Sequence, residues 1–175
     1  MASQQSIPVQ SIPESLSHLI HLNEKYSVLI CIGHGCRYAV SPTAISIHLQ
    51  RKHKTQLELR RQVDRYIEQS PLEYDYSNIQ LPVNGLAPQP IIKVVDGFQC
   101  RFCPFLTTDR SNIRKHGNKE HDKKRAADDD LFNSVRLQSW FGKRRERYWV
   151  VDESQPPEVD LEQGLESRAG ETHTR

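Results

Sequence analysis

The chain has 175 residues, 36% of them hydrophobic, with a mean hydropathy of -0.69 and a formal net charge of only +2. Those values argue against one large apolar core, and no stretch approaches the ~20 apolar residues that a membrane helix needs. The start, Met1 to Pro13, has no basic region followed by an apolar run, so a reducing, intracellular setting is expected.

Charge is distributed unevenly. Residues 97–150 carry 13 Lys+Arg against 7 Asp+Glu, whereas residues 151–175 carry 2 against 7. A basic segment followed by an acidic tail suits a charged contact surface with a solvated, self-shielding end, and equally a plain charged surface.

In chain order, residues 1–13 read as a loose lead-in, and residues 14–69, whose Cys31, Cys36, His48 and His53 suit zinc, as a first zinc module with a following helix. Leu16, Leu19, Ile20 and Leu22 suggest a helical turn or two, and Val28–Ile32 a strand. Ser41-Pro42 is a helix start, with Ser as N-cap and Pro at the first helical position. That helix extends to about Lys54 and runs on or restarts through Leu57, Leu59, Val63 and Ile67, ending at Ser70-Pro71. Residues 70–90, with Pro71, Pro82, Pro88, Pro90 and Asn84-Gly85, read as an extended connector. Residues 91–151 are expected to hold a second zinc finger and a basic aromatic hairpin. In that span Ile91–Val95 reads as a strand and Asp96-Gly97 as a turn. A helix starts near Thr108 or Asp109, and a hairpin joins Val135–Phe141 to Tyr148–Val151. Residues 152–175 lack an apolar pattern and read as disordered.

All four cysteines fall into two quartets, Cys31-x4-Cys36-x11-His48-x4-His53 and Cys100-x2-Cys103-x12-His116-x4-His121. Thiolate and imidazole suit zinc, and four protein ligands close a tetrahedral site. A short step between cysteines lets a turn present two thiolates, and the histidine pair is expected on one helix face. The second quartet fits the C2H2 spacing throughout, while the first has a longer knuckle, in which His34 is a competing ligand of low weight. Each quartet is matched by a small apolar set: Leu29, Ala39 or Val40, and Ile45 in the first; Phe98, Phe105 or Leu106, and Ile113 in the second. Units this small cannot bury enough surface to fold alone, so two Zn2+ ions are expected to be a folding requirement. The expected fold is therefore a small zinc-stabilised α+β chain. It has two ββα-like fingers separated by a helix and a Pro-rich connector, followed by a β-hairpin, with disordered termini.

In zinc-finger docking geometry the second helix offers Asp109, Asn112 and Lys115 to bases and Arg110, Arg114 and Lys119 to phosphates. The first offers Ser41, Ala44 and Ile47, of which Ala44 and Ile47 carry no hydrogen-bonding code, although either could touch a thymine methyl. Pro42 and Ile47 read as packing residues. The 46 residues between His53 and Cys100 are too many for a tandem array in groove register, so the chain alone would have low sequence specificity. Lys123-Lys124-Arg125 and Lys143-Arg144-Arg145 read as phosphate contacts, a nuclear import signal, or plain solvated surface. Trp140, Phe141, Tyr148 and Trp149 read as core in preference to a base-stacking platform.

The knuckle at Cys31 and Cys36, the His48-x4-His53-Lys54 helix end and the Pro-rich connector form a distinctive set. With Asp-Gly-Phe-Gln-Cys at 96–100, the second quartet and the aromatic block to Val151, it resembles the orsellinic-acid-cluster protein D family of fungi. That family is a domain of unknown function with two C2H2 zinc-binding segments. The resemblance covers about residues 14–151 and implies zinc binding without implying an activity. The expected function is a non-catalytic nuclear zinc-binding module contacting nucleic acid or chromatin, with a protein–protein adaptor as the alternative. A catalytic zinc would need an open position, and neither quartet leaves one. No membrane partner is expected, and oligomeric state is not readable.

Overall fold

The computed structural model describes residues 11–70, 76–142 and 146–156. The Lys143-Arg144-Arg145 cluster, most of the lead-in and the tail beyond Pro156 lie outside the described residues. A single 3-10 turn, Glu14–Leu16, precedes strands β1 (Ile20–Asn23), β2 (Val28–Cys31) and β3 (Tyr38–Ala39), and helices α1 (Pro42–His53) and α2 (Leu57–Gln69) follow. Beyond the connector come β4 (Val95–Cys100), β5 (Leu106–Thr107), α3 (Arg110–Glu120), the one-turn helix α4 (Asp128–Leu131), β6 (Phe132–Ser139) and β7 (Tyr148–Val151). All strand pairs are antiparallel, in sheets ordered β1-β2-β3 and β5-β4-β6-β7. Two ββα units, β2-β3-α1 and β4-β5-α3, are thus each extended by extra strands, as the α+β expectation required.

Three local expectations are corrected. The helical reading of Leu16–Leu22 holds only for the 3-10 turn. Ile20 and Leu22 are buried while His21 and Asn23 are half-buried, which is the two-residue period of a strand, and Ile20 pairs with Cys31. The strand expected at Ile91–Val95 begins only at Val95, because Ile91 has φ +73°, a left-handed conformation that breaks extension and is unusual for a β-branched residue. Asp96-Gly97 is mid-strand, not a turn: Gly97 pairs with Val135. A Cβ there would run into the Leu137 side chain and lie 3.0 Å from the Thr107 carbonyl oxygen, so only glycine fits between the strands.

β2 organises the molecule. All four of its residues are buried, and alternation sends Leu29 and Cys31 to one face and Val28 and Ile30 to the other. Leu29 and Cys31 join a core with Leu16, Ile45, Leu49 and Val63, under α1 and α2. Val28 and Ile30 join a second core with Ile79, Ile92, Trp140 and Trp149, drawn from the connector and the second sheet. The Trp140 and Trp149 rings lie 4.9 Å apart and are almost fully buried, so the core reading of these two is correct. β6-β7 is the expected hairpin, but β6 also pairs along the whole of β4, making it part of the finger's own sheet. A third, smaller core of Cys100, Ile113, Leu131 and Phe132 lies beneath α3.

From Asn84 onward the connector is held by specific hydrogen bonds. Gln138, fully buried, donates to the carbonyls of Gln89 at 3.0 Å and Ile92 at 2.8 Å and accepts from the Gln89 N–H at 2.8 Å. At the β7 edge, Gly85 donates to the Val150 carbonyl at 2.9 Å, and Asn84 Oδ1 accepts from the Val150 N–H at 2.7 Å. The Ala39 N–H donates to the Trp140 carbonyl at 2.6 Å, a backbone link between the two sheets. Past β7, the first residues of the acidic end make a turn in which Asp152 accepts from the Ser154 N–H at 2.9 Å.

Candidate metal centres

Both quartets converge. In each, one ligand atom from every residue lies within 4.8 Å of the others. Cys31 ends β2, Cys36 follows in the loop, and His48 and His53 come from α1. Cys36 Sγ lies 3.4 Å from His48 Nε2 and 3.1 Å from His53 Nε2, and Cys31 Sγ lies 3.3 Å from His53 Nε2. In the second quartet Cys100 ends β4, Cys103 Sγ is 3.1 Å from His116 Nε2, and His116 Nε2 is 3.2 Å from His121 Nε2. A tetrahedral ion with ~2.3 Å bonds to sulfur and ~2.0 Å bonds to nitrogen separates sulfur from nitrogen by about 3.5 Å and two nitrogens by about 3.3 Å. The observed edges fit that figure, so each group could hold one metal ion.

The helical ends make this possible. A five-residue step turns a continuous helix by about 140°, so the expectation that each histidine pair shares one helix face is corrected. In both units the helix terminates at the second histidine. His53 is the last residue of α1 and Lys54 has φ +54°, while His121 is the C-cap of α3 with φ -127°. The paired imidazoles converge nonetheless, with ring centroids 5.3 Å apart for His48 and His53 and 5.0 Å for His116 and His121.

The knuckles share a device. The Phe102 N–H donates to Cys100 Sγ at 3.4 Å, and the Gly33 N–H makes the matching bond to Cys31. Gly33 also faces the His53 ring, where a Cβ would fall 2.7 Å from ring atoms. The Gly33-His34-Gly35 stretch was the sequence signal for this close approach, which spacing alone did not reveal. His34 itself is exposed and outside the quartet. In the second unit Phe105 stacks on His116 at 4.1 Å, which settles the choice between Phe105 and Leu106.

Electrostatics calls for a cation at both centres. Burial pushes the Cys31 thiol up to about 12, against the lowering effect of the Gly33 N–H, and burial also raises Cys103. Burial first, and then the neighbouring histidine, lowers His48 and His116. Those shifts favour the neutral, lone-pair-donating form of His48 and His116 and the protonated form of Cys31 and Cys103. A bound cation would draw the ligating sulfurs to thiolate.

The residues expected to meet nucleic acid have separate fates. Asp109 is spent on the helix: its Oδ1 accepts from the Asn112 N–H at 3.0 Å. Asn112 and Lys115 are exposed on α3. Arg110 and Arg114 both ion-pair with Asp128 of α4, a partner the sequence reading missed because it assigned no element to residues 128–131. Lys119 pairs with Glu120 at 3.0 Å. On α1, Ile47 is 48% exposed, so it is not the packing residue expected. Among the described residues, no helix is long and apolar enough to cross a membrane.

The fold and the centres define a chain with two Cys2His2 groups, each able to hold a metal ion, in which two ββα units are built into a larger core. The chain belongs to the family described as orsellinic acid/F9775 biosynthesis cluster protein D, whose family model matches residues 18–122 and so spans both quartets. It is 29% identical over 135 residues to the protein of that description from Emericella nidulans, an alignment covering 76% of this chain and 26% of the relative. The chain thus spans about a quarter of the length of the curated relative it matches. No solved structure matches it.

Proposed function

We propose that the chain is a non-catalytic, zinc-scaffolded binding module, with Zn2+ at both quartets and a nucleic-acid contact on the outer face of α3. Zinc is favoured by a donor set of two thiolates and two imidazoles with tetrahedral edges. Four protein donors leave no open position for substrate, which supports a structural metal. The observation that carries the nucleic-acid reading is the exposure of Asn112 and Lys115, three residues apart on one face of α3, where they could pair with base edges. Exposed Lys123, Lys124 and Arg125 follow directly and support phosphate contact and a nuclear setting.

One observation favours the adaptor alternative. Arg110 and Arg114, the natural phosphate grips, are already held by Asp128, and Asp129 and Asp130 add further carboxylates beside them. A duplex would have to compete for both arginines, so its binding would be weak and strongly salt-dependent.

The decisive experiment is metal analysis followed by binding of duplex and single-stranded DNA over a salt series. The expected result is two zinc ions per chain, binding that falls steeply with salt, and an altered base preference in Asn112→Ala and Lys115→Ala. A metal-free folded chain would overturn the zinc scaffold. Two zinc ions with no DNA binding at low salt would reject the nucleic-acid reading and leave the adaptor.

A further inference from the structure

Between α1 and the start of the β6–β7 connection lies an open groove of about 1060 Å3. Its floor is Val40, Ala44 and Ile47 from the first unit, and its wall is Tyr38 with Phe141 and Gly142 from the end of β6. Among the described residues no carboxylate lines it, and its charged rim is Arg51 and Lys52, both exposed. Among the described residues neither makes an ion pair with a carboxylate. An apolar trough with an unopposed cationic rim suits a short polypeptide segment that alternates carboxylates with aliphatic side chains.

We propose that this groove docks the chain's own segment 158–166. That segment, Glu-Val-Asp-Leu-Glu-Gln-Gly-Leu-Glu, holds four carboxylates, no Lys or Arg, and the aliphatic residues Val159, Leu161 and Leu165. Leu161 and Leu165 enter beside Ile47, and the acidic residues meet Arg51 and Lys52. The reach is sufficient. β7 ends at Val151 opposite Arg136, five residues before Phe141 in the chain, a separation of at most about 17 Å at ~3.4 Å per residue. From Pro156 to Leu165 an extended chain covers about 30 Å.

The lining decides against nucleic acid as occupant. Ile47, Ala44 and Val40 offer no ring to stack on. The Tyr38 ring is already engaged edge-to-face with His48 at 5.7 Å, and Phe141 with Tyr76 at 6.0 Å. A second copy's groove rim would bring two more cations and no carboxylate.

The test is hydrogen exchange on the zinc-loaded full chain, comparing the native protein with Ile47→Asp and with the double variant Leu161→Ser/Leu165→Ser. The expected result is that amides of residues 158–166 exchange several-fold more slowly in the native chain than in Ile47→Asp. Amides of Ala44 and Ile47 should lose protection in the tail double variant. Because the tail variant leaves the folded core untouched, and zinc content verifies Ile47→Asp, loss of folding cannot imitate the result. Equal exchange in all three proteins overturns the proposal. So does protection that grows with protein concentration, which would mean that a second copy fills the groove.

Discussion

The two metal centres share their ligand chemistry, but they sit in different mechanical surroundings. In the first, Cys31 is fully buried at the end of a strand whose two faces feed two cores. In the second, the ligands join α3 to one end of a sheet over a core of Cys100, Ile113, Leu131 and Phe132 with their partly buried neighbours. A metal ion in the first centre would therefore fix the strand on which both cores depend, and one in the second would secure α3 over its smaller core.

The largest expected effect separates the centres directly. Cys31→Ser should remove a metal contribution of order 10 kcal/mol and, with it, the packed tryptophan environment around Trp140 and Trp149. Cys100→Ser should retain that tryptophan signal and one metal ion per chain while α3 loses protection. Tryptophan emission, near-UV dichroism and metal content measure this. Equal loss of the tryptophan signal in both variants would break the comparison.

Next comes the joint between the connector and the second sheet. Gln138→Ala leaves buried partners on Gln89 and Ile92 unsatisfied, and should cost about 3 kcal/mol in a denaturant titration. A cost below about 1 kcal/mol would show that solvent relieves those groups.

Acidification sharpens the comparison through the ligands. Both thiols must lose a proton to bind metal, so below the thiol values affinity should fall by about 100-fold per pH unit at each centre. Metal is held at alkaline pH and released as pH drops, and the raised Cys31 thiol makes proton competition strong at the first centre. Release followed with a chromogenic chelator would test this, and affinity that does not change with pH would mean the sulfurs do not bind as thiolates. The smallest effect concerns the surface of the second unit. Asp128→Asn frees Arg110 and Arg114 and should cost less than about 1 kcal/mol of stability, yet strengthen binding to DNA at low salt. Unchanged DNA affinity would mean that these arginines do not face the ligand.

The quartets were legible because ligand spacing is a local constraint, and so were α1, with its Ser41-Pro42 start, and α3, with Asp109 as its cap. The small apolar sets were also readable, since they repeat around the ligands. What escaped was set by distant partners. Gly97 reads as a turn residue until Leu137 is seen pressing on it from a neighbouring strand. Gln138 reads as a surface residue of a hairpin, and only the folded connector gives its amide three bonds. Asp128 looks like part of a charge run until α4 folds back on α3. The alternation of Ile20 and Leu22 was masked by Leu16 and Leu19, whose spacing mimics a helix.

The double-sided burial of β2 also governs how the chain can be cut for study. A fragment ending at Gln69 would keep its own four metal ligands but present Val28, Ile30 and Ala39 to water. Those residues lose the cover of Trp140, Trp149 and Ile92, at about 1.5–3 kcal/mol for each large aliphatic side chain. Such a piece would bind its metal and still be adhesive, so its poor behaviour in isolation would reflect a missing neighbour and not a defective zinc site.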